Sequence, residues 1–186
     1  EKDEQMPDYD SAQWLASQLK QQHDKPFFMV GGFLRPHVPW TVPQKWFDMH
    51  PVEGIVLPPY LKNDMDDVPD IAKRVTELPM MPTTEWAIEN GEWKNMVQGY
   101  LASVSFVDSC IGTVLDALEA SEYTNNTAVV LWGDHGYQIG EKSKFAKIKS
   151  LCGLAGFVFF KKPERPRIFF RPQSPSLVLR TFKYSF

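Results

Sequence analysis

The chain has 186 residues, 43% of them hydrophobic and 23% charged, with a formal net charge of −3. This is the composition of an ordinary globular protein, long enough to form one hydrophobic core or part of a larger one. The mild acidity argues against a nucleic-acid-binding protein, which would carry a basic patch, and no apolar run approaches the roughly 20 residues of a membrane helix.

The beginning of the chain predicts a helix followed by a buried strand. Asp10 and Ser11 are suited to cap a helix over residues 12–21, whose apolar face carries Trp14, Leu15 and Leu19. Residues 26–33 then read PFFMVGGF, a short apolar run ended by glycines that is typical of a buried strand. Because helix and strand alternate again later in the chain, we expect an α/β fold.

A histidine lies just beyond that strand, between two prolines. Residues 34–40 read LRPHVPW, and Pro36 and Pro39 are expected to stiffen an extended loop around His37. In α/β proteins ligands bind beyond the carboxyl ends of the strands, which is where this loop falls. Spacing alone leaves a plain surface histidine and a ligand-binding one equally open.

The middle of the chain predicts a proline-rich stretch and then the longest helix. A short helix is expected over 44–49, and the acidic run 64–70 lacks the alternating carboxylates and central glycine of an EF-hand loop. We interpret that run as a solvated loop rather than a metal site. Residues 97–121 predict a long helix in which Cys110 is a small core residue. Its apolar residues recur at helical spacing: Tyr100, Leu101, Val104, Val107, Ile111, Val114, Leu115 and Leu118.

The segment 127–147, TAVVLWGDHGYQIGEKSKFAK, combines a predicted strand with a group of ionisable residues. Residues 128–132 are apolar and partly β-branched, which indicates a fully buried strand that ends at Gly133. The ionisable residues of interest that follow are Asp134, His135, Lys144 and Lys147. A carboxylate, an imidazole and ammonium groups at a strand end suggest a site for a metal ion and an oxyanion. A turn-forming aspartate and a carbonyl-bound histidine fit the same spacing.

Three segments resemble the type I sulfatases, closest to the iduronate-2-sulfatase branch. They are KPFFMVGGFLRPHVPW at 25–40, GYLASVSFVDSCIGTVLDALEAS at 99–121 and GDHGYQIGEKSKFAK at 133–147. The resemblance implies the alkaline-phosphatase-like α/β fold, a sandwich with a central mostly parallel sheet flanked by helices. We therefore expect residues 1–149 to be the C-terminal portion of a sulfatase catalytic domain. Residues 150–186 are interpreted as a divergent tail, either frameshifted or disordered.

The resemblance also implies roles for individual residues. Asp134 and His135 would ligate one calcium ion. His37 and Lys147 would hold the substrate sulfate and act in catalysis, with Lys144 a weaker substrate-binding candidate. Positive charge at these positions would offset the charge that develops in the transition state. His37 would also protonate the departing sugar oxygen.

Two parts of the family's catalytic machinery are absent from the sequence. No Cys/Ser-x-Pro-x-Arg motif occurs, whose Cys or Ser becomes the formylglycine nucleophile, and there is no aspartate pair after a first strand. We expect both upstream of Glu1 and expect this chain alone to be inactive. The full-length enzyme is expected to act on sulfated sugars or polysaccharides and to be secreted, periplasmic or lysosomal. Its oligomeric state stays open.

Two alternative functions stay open beside sulfate-ester hydrolysis. A phosphodiesterase or phosphomutase of the same superfamily would use several Asp and His ligands for two metal ions. A sulfatase homologue that binds sulfated glycans without hydrolysing them would lack the formylglycine motif altogether. The metal content of the full-length protein distinguishes the first alternative, and its upstream sequence distinguishes the second.

Overall fold

A computed structural model describes residues 2–71, 73, 82–133 and 136–145, together with the backbone of 158–160. The described elements are α1 (Pro7–Leu19), α2 (Gln44–Asp48), α3 (Thr84–Glu89), α4 (Trp93–Glu119), β1 (Val129–Leu131) and β2 (Val158–Phe160). Short 3₁₀ turns lie at Asp3–Gln5, Val52–Gly54 and Glu141–Ser143. The described residues fall into two compact units, the first drawn from Glu1–Leu57 and Thr84–Thr127, the second from Pro58–Thr83 and Ala128–Phe186.

Helix α1 begins at Pro7, well before the start predicted at residue 12. Proline at the first helical position has a backbone angle suited to the helix, and Asp8 and Asp10 in the first turn favour the positive end of its dipole. The predicted cap is therefore wrong. Of the predicted apolar face, Leu15 and Leu19 are buried, which confirms those two positions, whereas Trp14 is 57% exposed. The buried face carries Asp8, Ala12, Leu15, Ala16 and Leu19.

The predicted longest helix is confirmed as α4, but its most buried face is not the predicted stripe. Residues of that stripe such as Val104 and Ile111 are half-buried. The fully buried positions include Ala102, Ser103 and Phe106. The small side chains of Ala102 and Ser103 let a neighbouring helix approach α4 closely. Burial along α4 therefore depends on the size of a side chain as well as on its hydrophobicity.

The core of the first unit joins α1, α2 and α4. Its larger cluster contains the buried residues Met6, Ala12, Val42, Ala102, Phe106 and Cys110. A second cluster contains Ala16, Leu19 and Ala117. Cys110 is 3% exposed, which confirms its prediction as a core residue. Burial raises the pKa of the Cys110 thiol to about 11, with a smaller contribution from the charges of Asp8 and Asp3.

Residues 26–33 form no strand in the described structure, contrary to the prediction. Their side chains still alternate as they would in a strand. Phe27 and Met29 pack on the core, whereas Phe28 and Val30 are 92% and 58% exposed. A strand also requires a hydrogen-bonded neighbour, and no described residue forms a ladder with this segment. A short apolar run ended by glycines was therefore insufficient to predict a strand.

The strand predicted at 128–132 is confirmed in position as β1, which pairs antiparallel with β2. It is not fully buried, since Val130 and Leu131 are 41% and 37% exposed. No strand was predicted at 158–160, and the rest of the predicted tail lies outside the described residues. Because the described sheet consists of these two strands, the mostly parallel sheet stays an expectation.

Among the described helices, α4 is long and apolar enough to cross a membrane by length and composition alone. The expectation of no membrane span did not anticipate this helix, because charged and polar residues interrupt its apolar runs. Core helices of soluble proteins have the same composition when one face is packed. The inner face of α4 supplies Ala102, Phe106 and Cys110 to the core of the first unit.

Candidate active site

His37 lies in a tight turn of the first unit, not in the extended loop that its flanking prolines predicted. Its backbone N–H donates to the carbonyl of Leu34 at 2.9 Å, as in a β-turn. The peptide bonds before Pro36 and Pro39 are both cis. We refer to residues 34–41 as the His37 loop.

The imidazole of His37 is half-buried and is held through one of its two nitrogens. Nδ1 lies 2.6 Å from the carbonyl oxygen of Val38, and a carbonyl oxygen can only accept a hydrogen bond. Nδ1 therefore carries the hydrogen, and in the neutral ring the lone pair lies on Nε2. This tautomer leaves Nε2 as the ring atom that can exchange a proton with a bound molecule.

The carboxylate of Asp8 holds the beginning of the His37 loop. Asp8 is 2% exposed, and it accepts hydrogen bonds from the backbone N–H groups of Leu34 and Arg35, the second at 3.2 Å. Buried backbone donors need such partners. Leu34 and Arg35 lie 26 and 27 residues after Asp8 in the sequence, so no local sequence pattern pointed to Asp8.

Two further side chains brace the rest of the His37 loop. The guanidinium of Arg35 donates to the carbonyl of Thr41 at 3.0 Å and to its hydroxyl at 3.1 Å. The indole N–H of Trp40 donates to the carbonyl of Pro36 at 2.9 Å. Hydrogen bonds thus hold the His37 loop at its beginning, across its middle and at its end. They fix the backbone that carries the His37 imidazole.

The second unit contains the described part of the signature loop, by which we mean residues 133–147. Gly140 has a φ of 132°, a conformation that favours glycine, and its N–H donates to the carbonyl of Lys144 at 2.9 Å. Phe145 is 1% exposed, and its carbonyl accepts a hydrogen bond from the Tyr137 hydroxyl at 3.1 Å. The backbone of Lys144 is therefore fixed by a turn on one side and by a buried aromatic residue on the other.

Lys142 ties the signature loop to the acidic segment within the second unit. Its backbone N–H donates to the Asp64 carboxylate at 2.8 Å. Its ammonium donates to the backbone carbonyl of Asp64 and to the carboxylate of Asp67, both at 2.8 Å. The hydrogen bond from Lys142 lowers the pKa of Asp67, and hydrogen bonds to Asp67 and Asp64 raise the pKa of Lys142. The sequence reading missed this contact.

The acidic segment is a mostly exposed loop, as predicted, but Lys142 fixes it at Asp64 and Asp67. The side chain of Asp64 is 22% exposed, whereas that of Asp67 is 74% exposed. Lys142 itself has a φ of 52°, which is uncommon for a residue with a side chain. Contacts to both the backbone and the side chain of Asp64 hold Lys142 in that conformation.

The structure describes two of the five residues predicted to form the site. His37 belongs to the first unit and Lys144 to the second. Asp134, His135 and Lys147 lie outside the described residues. The convergence of these side chains on one tetrahedral anion therefore stays a prediction.

The predicted calcium ligands can be judged by the donors that they offer. Calcium takes about six to eight oxygen ligands, whereas Asp134 and His135 provide one carboxylate and one imidazole. Within the described ranges, no group of three or more His, Cys, Asp or Glu side chains is placed to hold a metal ion. The two residues thus supply part of a calcium shell at most.

Comparison with known proteins gives a consistent family assignment. The model of the Sulfatase family matches residues 3–158. A sulfatase of Formosa agariphila is 53% identical over 147 residues, which cover 79% of this chain and 29% of that protein. The iduronate 2-sulfatase of Mus musculus is 31% identical over 135 residues, covering 66% and 24%. An arylsulfatase of Clostridium perfringens is 32% identical over 136 residues, covering 73% and 27%.

The chain spans less than a third of the length of these relatives. The family match includes all three segments that resembled this family in the sequence, among them the His37 loop and the signature loop. It also covers most of the chain. The chain belongs to the sulfatase family.

Proposed function

We propose that the full-length protein hydrolyses sulfate esters of sugars or polysaccharides. The observation that carries the proposal is the sulfatase match over residues 3–158, which includes every residue predicted to form the site. Similarity to an iduronate 2-sulfatase supports a saccharide substrate. Such substrates lie outside the cytoplasm, so we also propose that the protein is secreted, periplasmic or lysosomal.

In this proposal His37 acts through Nε2. Its hydrogen bond from Nδ1 to the Val38 carbonyl fixes the orientation of the ring. When the ring is protonated, Nε2–H donates to a sulfate oxygen or passes its proton to the departing sugar oxygen. Half-burial strengthens such a charged hydrogen bond, because the local dielectric constant is lower than in water.

Lys147 and Lys144 supply positive charge from the signature loop. We assign the larger role to Lys147, which would contact the sulfate oxygens and offset the negative charge that develops on them. Lys144 is assigned a secondary substrate-binding role. This division follows the family resemblance, in which a lysine lies at the position of Lys147 relative to Asp134.

A formylglycine and one calcium ion complete the proposed site. The formylglycine, formed from the Cys or Ser of a Cys/Ser-x-Pro-x-Arg motif elsewhere in the full-length protein, supplies the nucleophile. Asp134 and His135 are proposed to ligate the calcium ion together with ligands from outside this chain.

The test is the kinetics of the full-length protein with an aryl sulfate and with sulfated saccharides. His37→Ala and Lys147→Ala are each expected to lower kcat/KM by about 100- to 1,000-fold, the usual effect of removing a group that stabilises transition-state charge. Lys25→Ala is the matched control, because Lys25 is an exposed lysine that belongs to neither loop. Unchanged turnover in both site variants would remove these residues from the site.

The same preparation distinguishes the alternative functions. We expect faster hydrolysis of a sulfate ester than of the matched phosphate ester, together with bound calcium. A preference for phosphate esters, with two zinc or manganese ions bound, would overturn the proposal in favour of phosphoryl transfer. Binding of a sulfated glycan without turnover would instead identify a non-catalytic homologue.

A further inference from the structure

We propose that Asp8 is a positioning residue that fixes the place of the His37 imidazole, an inference that rests on the function proposed above. Asp8 belongs to α1, whose buried residues join both core clusters of the first unit. The packing of α1 in the core therefore fixes the position of the Asp8 carboxylate. It contacts the His37 loop at the loop's first two residues, Leu34 and Arg35.

A short series of hydrogen bonds connects the carboxylate to the ring. Asp8 accepts from the backbone N–H of Leu34, and the carbonyl of the same residue accepts from the backbone N–H of His37 at 2.9 Å. The ring then donates from Nδ1 to the carbonyl of Val38. A displacement of Leu34 therefore moves both the backbone and the ring of His37.

The geometry gives Asp8 a positioning role and not a catalytic one. Both of its carboxylate oxygens accept from backbone N–H groups, one from Leu34 and one from Arg35, and the residue is 2% exposed. It has no exposed surface with which to contact a substrate. Its effect on turnover must therefore pass through the His37 loop.

The first experiment compares Asp8→Asn with Asp10→Asn in the full-length protein. Asp10 is the matched control, because it lies in the same turn of α1 but is exposed. The amide of Asp8→Asn presents an NH₂ group to one of the two backbone donors, so the beginning of the loop must shift. We expect kcat to fall by about 10- to 100-fold, the scale of a misplaced catalytic group, with a smaller change in KM. Asp10→Asn is expected to match the unmodified protein.

A double-mutant cycle with His37 separates positioning from general damage to the fold. If Asp8 acts through His37, Asp8→Asn has no further effect on turnover once His37→Ala is present. An equal fold-loss in both backgrounds would overturn the proposal. If Asp8→Asn does not fold, Asp8→Glu, which keeps the charge but displaces the carboxylate, enters the same cycle.

A second readout does not depend on turnover. In ¹⁵N-histidine NMR spectra, Asp8→Asn is expected to shift the ring signals of His37, whereas His50, which contacts Ser105 on α4, serves as an internal reference. Absence of sulfate-ester hydrolysis, or turnover insensitive to His37, would defeat the proposed function, and these spectra would then decide the role of Asp8. Identical His37 signals in Asp8→Asn and Asp10→Asn would overturn the positioning role of Asp8.

Discussion

Replacing Gly31 by alanine is expected to destabilise the first unit, whereas the same replacement at Gly32 is not. Gly31 falls in the inward register of residues 26–33, in step with Phe27 and Met29. A Cβ atom at Gly31 would lie 2.2 Å from Cδ1 and 3.3 Å from Cγ of Leu15. Carbon atoms do not approach so closely, and Leu15 is 6% exposed, so the new methyl group must displace a buried side chain.

The size of the effect follows from what Leu15 can do. Forcing it away from a preferred rotamer costs about 0.5–1.5 kcal/mol, and overpacking a filled core costs about 1–3 kcal/mol. Replacing glycine returns about 0.4–1 kcal/mol by restricting the unfolded chain. The free energy of unfolding should therefore fall by about 1–2 kcal/mol for Gly31→Ala. For Gly32→Ala, where a Cβ meets nothing within 4 Å, it should stay unchanged or rise by less than about 1 kcal/mol.

Urea unfolding of the unmodified protein and both variants measures this difference. A lower midpoint for Gly31→Ala at an unchanged slope indicates a loss of stability without a change in the surface exposed on unfolding. Equal midpoints for the two variants, or a lower midpoint for Gly32→Ala, would refute the inference that Leu15 fills the space beside Gly31.

Three further predictions test the core and the signature loop. Phe106→Ala, at a position 1% exposed, should lower the free energy of unfolding by about 3–5 kcal/mol, and a loss no larger than that of the exposed Trp14→Ala would contradict the described core. The Cys110 thiol should resist maleimide at pH 8 until urea unfolds the protein. Because its folded pKa of about 11 exceeds the ordinary 9.0, its contribution to stability is complete below pH 9.0 and is lost as pH rises towards 11; rapid native labelling would refute the burial. Lys142→Met should raise the pKa of Asp67 in an NMR titration, since Lys142 lowers it. The stability that this pairing contributes is complete above pH 3.8, the ordinary pKa of the carboxyl group, and is lost as pH falls through the lower folded pKa of Asp67. An unchanged Asp67 titration would exclude the contact.

The helices that were predicted well are those whose signal is local. The length of α4 follows from the helical spacing of its apolar residues, and the short helix predicted over 44–49 is observed as α2. The start of α1 was missed because Asp10 and Ser11 resemble a cap, while Pro7 is an equally good first helical residue. The segment 26–33 has the alternation of a strand, but strand formation also depends on a neighbour that sequence spacing does not supply.

In the candidate site, too, local features were predicted from the sequence and long-range contacts were not. Motifs singled out His37 and the signature loop, because residue type and spacing are visible in the sequence. The contacts that hold them were not visible: Asp8 reaches the His37 loop across 26 residues, and Lys142 reaches Asp64 across 78. Asp8 was assigned no role in the sequence analysis, and the acidic segment was judged only against metal-binding patterns.

The pairing of Lys142 with Asp64 and Asp67 has a consequence for chimeric sulfatases. A transplant that brings in residues 61–70 from a relative but keeps Lys142 would leave its ammonium and backbone N–H facing foreign side chains. The recipient loop would then lose the conformation that those aspartates impose. Exchange of the two stretches together, as one cassette, is the design that the contacts of the second unit favour.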